Sequence, residues 1–462
     1  MFVNRERELA ALEACYATDK AELFVLYGRR RVGKTELLRT FCRDKRHIFF
    51  VADLGSEATQ LAAFSRVVGR QLLGSGEIGF PSWDAVFDLL ARSSQSERLV
   101  VVLDEFSYLA QSNPAFPSIL QRLWDTQLRE SRIMLILCGS YIGLMERDVL
   151  AYRAPLYGRR SGQWLLTPLS FDQIGPFLPT YAPADRVRAY AILGGTPAYL
   201  TRFDPRRSLG DNILTAILSP QGYLYDEARF LLLQEVREPR SYFAVLEALA
   251  QGRTRPNEIA QKAGMGGGAA AMPTLKTLMD LRLVERHVPV TERHPHKSRK
   301  GLYRISDPYF RFWFRFVHPQ RSALEEGRAQ AVLEQQILPV LDHFTSLTFE
   351  EICRQHVWRM ALPFVPQRVG AWWDRHTEID VAAVGKAEDA LLVGECKWSA
   401  RPVGANILDD LKRKAARLLG QGTWSQVIYA LFSRSGFTPA MKALAEAEAV
   451  HLVDLSAFGD SG

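Results

Sequence analysis

The chain has 462 residues, of which 47% are hydrophobic and 24% are charged, and its formal net charge is +7. This length predicts two to four domains, and the composition is that of an ordinary soluble globular protein. No apolar run approaches the ~20 residues that span a bilayer, and the charged start lacks the pattern of a signal peptide. Five scattered cysteines without a C-x-x-C pair favour a reducing cytoplasm over structural zinc. The modest positive charge allows a polyanionic partner without demonstrating one.

A glycine-rich loop follows the first apolar run of the chain. Residues 28–35 read G-x-x-x-x-G-K-T, after a strand pattern and before a helical one. Such a loop points backbone N–H groups at phosphate oxygens, and the helix adds its positive dipole end. Lys34 would reach the β- and γ-phosphates, and the Thr35 hydroxyl would hold Mg²⁺. We therefore predict that nucleotide is bound by Gly28, Arg29, Arg30, Arg31, Val32, Gly33, Lys34, Thr35 and Glu36.

The three arginines of this loop have open roles. Arg29, Arg30 and Arg31 can support the phosphates, face DNA or remain solvated, and solvation is the default interpretation. The chain has no guanine-reading N-K-x-D motif, so ATP is favoured over GTP as the nucleotide.

A second apolar run ends in two adjacent carboxylates. Residues 99–103 are typical of a strand buried on both faces, and Asp104 and Glu105 follow directly. The ends of such strands form the crevice where open α/β sheets bind ligands. We expect Asp104 to hold Mg²⁺ through water and Glu105 to polarise the attacking water.

Strand and helix patterns alternate through the rest of this region. Strands are predicted at residues 46–51, 131–137 and 163–167, and helices at residues 58–73 and 118–128. This alternation indicates βαβ units and therefore a parallel sheet. Ser140 follows one of the strands, where its hydroxyl would sense a γ-phosphate.

Motifs in this order resemble the AAA-type ATPases of the archaeal or STAND-like branch. They lie at residues 2–6, 28–35, 103–106, 138–140, 156–160 and 194–200. The resemblance covers roughly residues 1–235. It implies that the segment with Asn4 and Arg5 borders the adenine and that Ser140 is the first sensor. It also implies that Gly195 and Pro197 touch the nucleotide from a helical lid.

The same resemblance implies an arginine finger just before the last core strand. Arg159 and Arg160 occupy that position. An arginine there stabilises charge on the transferring phosphoryl group, usually from a neighbouring subunit, so we expect a homo-oligomer. The sequence does not choose between the two arginines, and a solvated basic turn is the alternative.

The middle of the chain follows a winged-helix order. Helices are predicted at residues 242–249, 256–264 and 273–281, and strands at residues 283–288 and 301–305. The loop between the strands is basic, with Arg293, Lys297, Arg299 and Lys300, which suits contacts with DNA phosphates. The third helix offers only Lys276 for reading bases, so a packing or oligomerisation module is an equal alternative.

The richest aromatic cluster of the chain lies at residues 307–316. Aromatic side chains interleaved with arginine can stack nucleic-acid bases. A helix that packs the winged helix onto its neighbours is the favoured interpretation, because similar ATPases carry this D-P-x-x-R-F-W block between their modules.

A second set of chemically active residue types follows residue 330. Asp380 lies on one predicted strand, and Glu395 and Lys397 lie on one face of the next. Two carboxylates that meet there would bind Mg²⁺, which stabilises a pentavalent phosphate, and the lysine would position or activate water. Glu350, on a predicted helix upstream, would add a third carboxylate.

This order of a helical Glu, a strand Asp and E-x-K resembles the PD-(D/E)XK restriction-endonuclease-like superfamily over residues ~335–455. Glu350 fits the superfamily pattern better than Glu351, because small or apolar residues follow it at the expected spacing. The resemblance implies an αβββαβ core, with metal held by Asp380 and Glu395. The alternatives are an ordinary charged hairpin and a degenerate, inactive copy retained for DNA binding or regulation.

Together the patterns predict an α/β chain of four parts. They are a P-loop AAA-type ATPase core with a parallel sheet (1–170), a helical lid over the nucleotide (171–235), a winged helix with an aromatic docking helix (236–325) and a restriction-endonuclease-like α/β domain (330–462). We expect ATP and Mg²⁺ as cofactors, DNA as a partner and a cytoplasmic location. The leading hypothesis is an ATPase whose nucleotide state gates a Mg²⁺-dependent nuclease. The alternative is a STAND-like, ATP-driven regulatory switch whose C-terminal domain is inactive or a binding module.

Overall fold

The computed structural model describes residues 2–236, 238–386 and 389–458. The chain folds into two compact units. The first contains the residues up to Leu169 together with Thr196–Ala198, and the second contains Ser170–Gly195 and the chain from Tyr199 onward. Within the described segments, none of the helices combines the length and apolar character that crossing a bilayer requires.

A five-stranded parallel sheet forms the centre of the first unit, as the alternating pattern predicts. Its strands are β1 (Glu22–Tyr27), β2 (His47–Val51), β3 (Leu99–Asp104), β4 (Ile133–Gly139) and β5 (Gly162–Leu165). They lie in the order β2-β3-β4-β1-β5, and each neighbouring pair is parallel. Strands β1, β3 and β4 are buried along their whole length because apolar layers cover both faces of the sheet.

Helices supply those two layers. They are α1 (Glu6–Tyr16), α2 (Lys34–Cys42), α3 (Glu57–Leu73), α4 (Trp83–Ser93), α5 (Phe106–Ser112), α6 (Phe116–Leu123) and α7 (Ile142–Leu144). On one face of the sheet, α3, α4 and α6 pack against strand residues such as Val101. On the other face, α1 and α2 pack against the strand residues that alternate with these, such as Val102. The helix predicted at residues 118–128 begins earlier, at Phe116, and widens into a π-helical turn at Trp124–Leu128.

A run of short helices covers residues 171–235, as predicted, and all of it except Thr196–Ala198 belongs to the second unit. They are 3₁₀ turns at Phe171–Gln173 and Gly175–Phe177, α8 (Pro183–Leu193), α9 (Pro197–Leu200), α10 (Leu209–Asn212), a π turn at Ile213–Leu218 and α11 (Glu227–Glu235). Helix α8 packs against elements later in the same unit. The four domain boundaries drawn from the sequence stay predictions.

Three helices and a two-stranded antiparallel sheet follow. They are α12 (Arg240–Ala250), α13 (Pro256–Lys262), α14 (Gly268–Asp280), β6 (Val284–His287) and β7 (Leu302–Ile305), with a 3₁₀ turn at Pro295–Lys297. The third helix begins at Gly268, before the predicted start at Pro273. The Gly268 N–H donates to Asn257 Oδ1 at 3.1 Å, so a side chain from the preceding helix caps its first turn.

The aromatic cluster lies in α15 (Pro308–Phe312) and a π turn at Trp313–Val317, and its rings are buried. The prediction of core packing is confirmed, because buried rings are not available to stack bases. Short helices lead onward: a 3₁₀ turn at His318–Gln320, α16 (Arg321–Glu325), α17 (Ala329–Val332), a π turn at Leu333–Ile337 and a 3₁₀ turn at Leu338–Val340.

The C-terminal part is a mixed sheet with flanking helices. Its elements are α18 (Leu341–Val357), β8 (Pro366–Trp373), β9 (Glu378–Gly385), β10 (Ala390–Lys397), α19 (Ala405–Leu419), β11 (Gln426–Ser433), α20 (Pro439–Glu448), β12 (His451–Asp454) and a 3₁₀ turn at Leu455–Phe458. The strand order is β12-β11-β10-β9-β8. Strands β8, β9 and β10 pair antiparallel, and β10, β11 and β12 pair parallel.

Candidate nucleotide site and a second carboxylate site

The glycine-rich loop connects β1 directly to α2. A Cβ built on Gly28 would stand 2.3 Å from the Leu166 carbonyl oxygen, so only glycine fits at this close approach. Gly33 has a φ of 97° and caps the start of α2. Its left-handed conformation turns the chain into the helix, whose free N–H groups then face the loop.

Lys34 closes the loop on itself. Its Nζ donates to the carbonyl oxygens of Gly28 at 2.8 Å and Arg29 at 2.9 Å. Burial lowers the pKa of this ammonium, and the nearby Asp104 and Glu105 carboxylates oppose that effect. The lysine therefore lies inside the loop, where the sequence predicts phosphate oxygens to bind.

The two predicted Mg²⁺ ligands are in contact. Thr35 Oγ1 donates to Asp104 Oδ2 at 2.7 Å, and Asp104 Oδ1 accepts from the Glu105 N–H at 2.9 Å. Asp104 is buried at the end of β3. A hydroxyl and a carboxylate are ligands that suit Mg²⁺ when phosphates complete its shell, so this pair fits a Mg²⁺–nucleotide complex.

Glu105 and Ser140 form the third contact of the site. Glu105 has a φ of 52°, an unusual value for a residue with a side chain, and it caps α5. Ser140 Oγ, just after β4, donates to Glu105 Oε1 at 2.7 Å. The structure thus joins residues predicted from two separate strand ends.

Arg5 has a role that sequence reasoning missed. Its buried guanidinium donates to the carbonyl oxygens of Val32 at 3.1 Å and Thr167 at 2.9 Å, and it forms an ion pair with Glu8 at 3.0 Å. Burial lowers its pKa. Arg5 therefore connects the phosphate loop, at Val32, to the segment after β5, at Thr167. The adenine contact expected of Asn4 and Arg5 stays a prediction.

The loop side chains differ in exposure. Val32 is buried in the core, so only its backbone can face a ligand. Arg30 Nη2 donates to the Tyr108 hydroxyl at 2.9 Å, which points this arginine toward α5. Arg31 and Glu36 are exposed. Phosphate contacts by Arg29, Arg30, Arg31 and Glu36 stay predictions.

The two finger candidates lie on the turn before β5. Arg159 bonds Asp125 through Nε at 2.9 Å and Nη2 at 2.8 Å, and this contact lowers the pKa of Asp125. Arg160 Nη1 donates to the Leu150 carbonyl at 2.9 Å, and its guanidinium lies over the Tyr157 ring. Both arginines are held against their own unit, and a role in trans stays a prediction.

Pro197 begins α9. The short segment Thr196–Ala198 groups with the first unit, whereas the residues on both sides of it group with the second. A nucleotide contact by Pro197 stays a prediction.

The second site forms where β9 and β10 lie side by side. Gly394 pairs with Val381, which makes Asp380 and Glu395 neighbours across the strands. Asp380 Oδ2 accepts the Cys396 N–H at 2.9 Å, and Lys397 Nζ donates to Glu395 Oε1 at 2.8 Å. The predicted Asp and E-x-K residues therefore converge.

The carboxylates of this site repel one another. Burial, followed by repulsion from Glu395, raises the pKa of Asp380 to about 6. Burial, followed by repulsion from Asp380, raises the pKa of Glu350 to about 7. Glu351 forms an ion pair with Arg354 at 3.0 Å, and the choice of Glu350 as the third carboxylate stays a prediction.

Two basic residues of this site were missed from the sequence. Arg354 Nη1 donates to the Asp380 carbonyl at 2.8 Å and lies 3.6 Å from Glu350. Lys414 Nζ on α19 bonds both oxygens of Glu395, at 2.8 and 2.9 Å. In the described part of the chain, no group of three or more His, Cys, Asp and Glu side chains is arranged to hold a metal. Two carboxylates still fit Mg²⁺, which commonly takes one or two from the protein and the rest from phosphates and water.

Comparisons with known proteins identify an ATPase domain in the chain. Residues 2–203 match a family described as an ATPase domain predominantly from Archaea, and residues 313–416 match archaeal and bacterial proteins of unknown function. The Walker-type ATPase PABY2304 of Pyrococcus abyssi aligns with a TM-score of 0.51 at 20% identity, over 68% of this chain and 96% of that chain. This likeness shows the fold of a Walker-type ATPase.

Two curated relatives come from Methanocaldococcus jannaschii. The uncharacterized ATP-binding protein MJ0423 is 54% identical over 46 residues, which cover 10% of this chain and 78% of that protein. The uncharacterized protein MJECL04 is 32% identical over 402 residues, which cover 86% of this chain and 88% of that protein. The chain therefore belongs to the same family as MJECL04, and it is a nucleotide-binding ATPase with an archaeal-type ATPase domain.

Proposed function

We propose that this ATPase acts on DNA and that its nucleotide state gates a Mg²⁺-dependent nuclease site in the C-terminal sheet. The observation that carries the proposal is the convergence of Asp380, Glu395 and Lys397 on two neighbouring strands, beside Glu350 of α18. The element order α18, β8, β9, β10, α19, β11 supports a restriction-endonuclease-like core. Residue types and topology thus agree on one chemistry.

Each group of this site suits one part of phosphodiester hydrolysis. Asp380 and Glu395 would hold a divalent ion, whose charge stabilises a pentavalent phosphate. Lys397 holds its ammonium next to this carboxylate pair, so it is placed to orient water and offset phosphate charge. Glu350 has a pKa of about 7, which suits a group that exchanges a proton near neutral pH.

ATP turnover would use the first site alone. Thr35 and Asp104 would hold Mg²⁺ on the nucleotide, and Lys34 would bind its β- and γ-phosphates. Glu105 would orient the attacking water, with its carboxylate fixed by Ser140. If the protein assembles, Arg159 or Arg160 would complete a neighbour's site.

The helices and strands of residues 240–305 support a winged helix beside the nuclease site. The loop between β6 and β7 is tied to the C-terminal sheet, because the Val290 N–H donates to the Ala371 carbonyl on β8 at 2.9 Å. Lys297 and Arg299 on this loop are exposed. Positive charge beside β8 would hold a DNA backbone near the carboxylates of the same sheet.

A contact network inside the second unit offers a route for gating. Asp342, at the start of α18, accepts from Arg188 of α8 at 2.8 and 2.9 Å. It also accepts from Trp398 Nε1 at 3.2 Å and Arg434 Nη1 at 2.8 Å. Trp398 directly follows Lys397, so a movement of α8 would be transmitted through the Asp342 carboxylate to β10, the strand that carries Glu395 and Lys397.

A cleavage assay with the full chain tests the proposal. Single-stranded, duplex and branched DNA are incubated with Mg²⁺, with and without ATP, and ATP turnover is measured in parallel. Asp380→Ala should abolish cleavage and leave ATP turnover unchanged. Asp409→Ala, which removes an exposed carboxylate on α19, is the matched control and should retain both activities. Cleavage that survives in Asp380→Ala, or wild-type protein that binds DNA and cleaves none of the three, would overturn the nuclease half.

A second candidate is a STAND-like switch in which the C-terminal domain binds or regulates. The observation in its favour is that both oxygens of Glu395 are already paired with lysines inside the protein. In this case only substitutions at Lys34 or Glu105 should change the output. An ATP-dependent change of oligomeric state, measured by light scattering and unaffected by Asp380→Ala, would favour this candidate.

A further inference from the structure

Two lysines converge on a single buried carboxylate. The Glu395 side chain is 4% exposed, Lys414 bonds both of its oxygens, and Lys397 bonds Oε1. A buried carboxylate is stable only when it is well paired, and these two ammonium groups supply the pairing. The charge of Glu395 is therefore balanced before any metal arrives.

A divalent ion that binds Glu395 must compete with both lysines for the two oxygens of this carboxylate. An ion bound to Glu395 takes at least one oxygen, and its double charge repels both ammonium groups. One lysine must then find another partner. Lys397 sits on the same strand face as Glu395, which keeps it close, whereas Lys414 reaches the site from α19.

Lys414 has a second carboxylate in reach. Its Nζ lies 3.7 Å from Asp410 Oδ2, one helical turn earlier on α19 and away from the strands. Asp410 also pairs with Arg413, and its carboxylate is more exposed than that of Glu395. A small movement of the Lys414 side chain would exchange the buried carboxylate for the outer one.

We propose that Lys414 is an internal counter-ion that occupies Glu395 in the metal-free protein and moves to Asp410 when a divalent cation binds. This inference rests on the proposed metal site at Asp380 and Glu395. It assigns Lys414 a positioning role: it competes with the metal, and so sets the cation concentration at which the site fills.

Direct Mn²⁺ titration of the full chain tests this competition. Nucleotide-free protein carrying Asp104→Asn, which removes the carboxylate expected to hold Mg²⁺ at the first site, is titrated by calorimetry and by electron paramagnetic resonance of free Mn²⁺. Lys414→Met should bind Mn²⁺ at least about tenfold more tightly than this parent, because a repelling charge is gone. Lys414→Arg should bind Mn²⁺ no more tightly than the parent, because the repelling positive charge is kept.

Two further variants control the result. Lys412→Met removes a neighbouring charge that pairs with Glu448 instead of Glu395, and it should leave Mn²⁺ affinity unchanged. Asp410→Asn removes the outer partner and should weaken Mn²⁺ binding several-fold. Unchanged or weaker Mn²⁺ binding by Lys414→Met would overturn the counter-ion role.

The two proposals fail in distinguishable ways. If the parent binds Mn²⁺, loses it in Asp380→Ala and binds it equally well in Lys414→Met, the metal site stands and the counter-ion role is wrong. If neither the parent nor Lys414→Met binds Mn²⁺, the metal site itself is wrong and the counter-ion role falls with it.

Discussion

The two charged sites of this chain pair their groups in opposite ways. At the phosphate loop, Lys34 donates to backbone carbonyls, while Asp104 and Glu105 accept from the hydroxyls of Thr35 and Ser140. Each of these three charged side chains therefore has a neutral hydrogen-bond partner. The charges of this site therefore remain available to a ligand that contains phosphates and carries a bound cation.

At the C-terminal site the charges bond one another. Lys397 and Lys414 both bond Glu395, and Arg354 lies between the Asp380 carbonyl and the Glu350 carboxylate. A ligand must displace an existing ion pair before it can bind. The first site is thus open to its ligand, whereas the second is closed by its own side chains.

The largest expected effect tests the open site. Lys34→Ala should lower ATP turnover at least ~100-fold, because it removes the charge that faces the phosphates. The fold should survive, since the groups left behind are carbonyls that water can satisfy. ATP hydrolysis and the thermal midpoint are measured together, with the exposed Arg39→Ala on the same helix as control. Turnover within about threefold of wild type would contradict the assignment of the loop.

Site residues that lie on strands, or directly after them, can be predicted from the sequence. The phosphate loop, Asp104, Glu105 and Ser140 follow strands of one parallel sheet, so their meeting is predictable from strand patterns alone. Asp380, Glu395 and Lys397 are predictable for the same reason, because two neighbouring strands carry them.

The basic residues that reach these sites through long-range packing could not be predicted, whereas the family resemblance pointed to Glu350 on α18. The contact of Lys414 depends on how α19 packs on the sheet, and nothing in its local pattern distinguishes it from Lys412. The family resemblance places Arg5 beside the adenine, but it does not predict that the buried guanidinium donates to the carbonyls of Val32 and Thr167. Such contacts depend on long-range packing, about which the local periodicity of the sequence carries no information.

The next largest effect comes from the buried Glu350 carboxylate of the closed site. Glu350 has a folded-state pKa of about 7 against an ordinary value of 4.5, so the folded protein binds more protons than the unfolded chain between these values. Stability should therefore fall as pH rises through this window, and the penalty is complete above about pH 7. Glu350→Gln removes it and should gain about 2–3 kcal/mol at about pH 8, with little gain at about pH 4.5. Urea unfolding at both pH values measures the difference, and an equal gain at the two would contradict the raised pKa that burial and the neighbouring Asp380 give Glu350.

A smaller effect concerns the neutral partners of the first site. Ser140→Ala removes the hydroxyl that holds Glu105 Oε1, and ATP turnover should fall about tenfold while nucleotide affinity stays within about twofold. Ser107→Ala, a buried serine of the neighbouring helix, is a suitable control. A loss of affinity in place of turnover would mean that Ser140 serves binding rather than the orientation of Glu105.

The smallest expected effect on stability asks whether the two sites communicate. Asp342 is half-exposed, so Asp342→Asn should change the free energy of unfolding by no more than about 1 kcal/mol. It weakens the carboxylate contacts that join Arg188 of α8 to Trp398 and Arg434. The ratio of DNA cleavage rates with and without ATP should therefore move toward one, while the ATP-free rate is retained. Asp84→Asn, which breaks a similarly exposed pair with Arg122 in the first unit, should leave that ratio unchanged. If Asp342→Asn also leaves it unchanged, nucleotide does not reach the C-terminal site through this carboxylate.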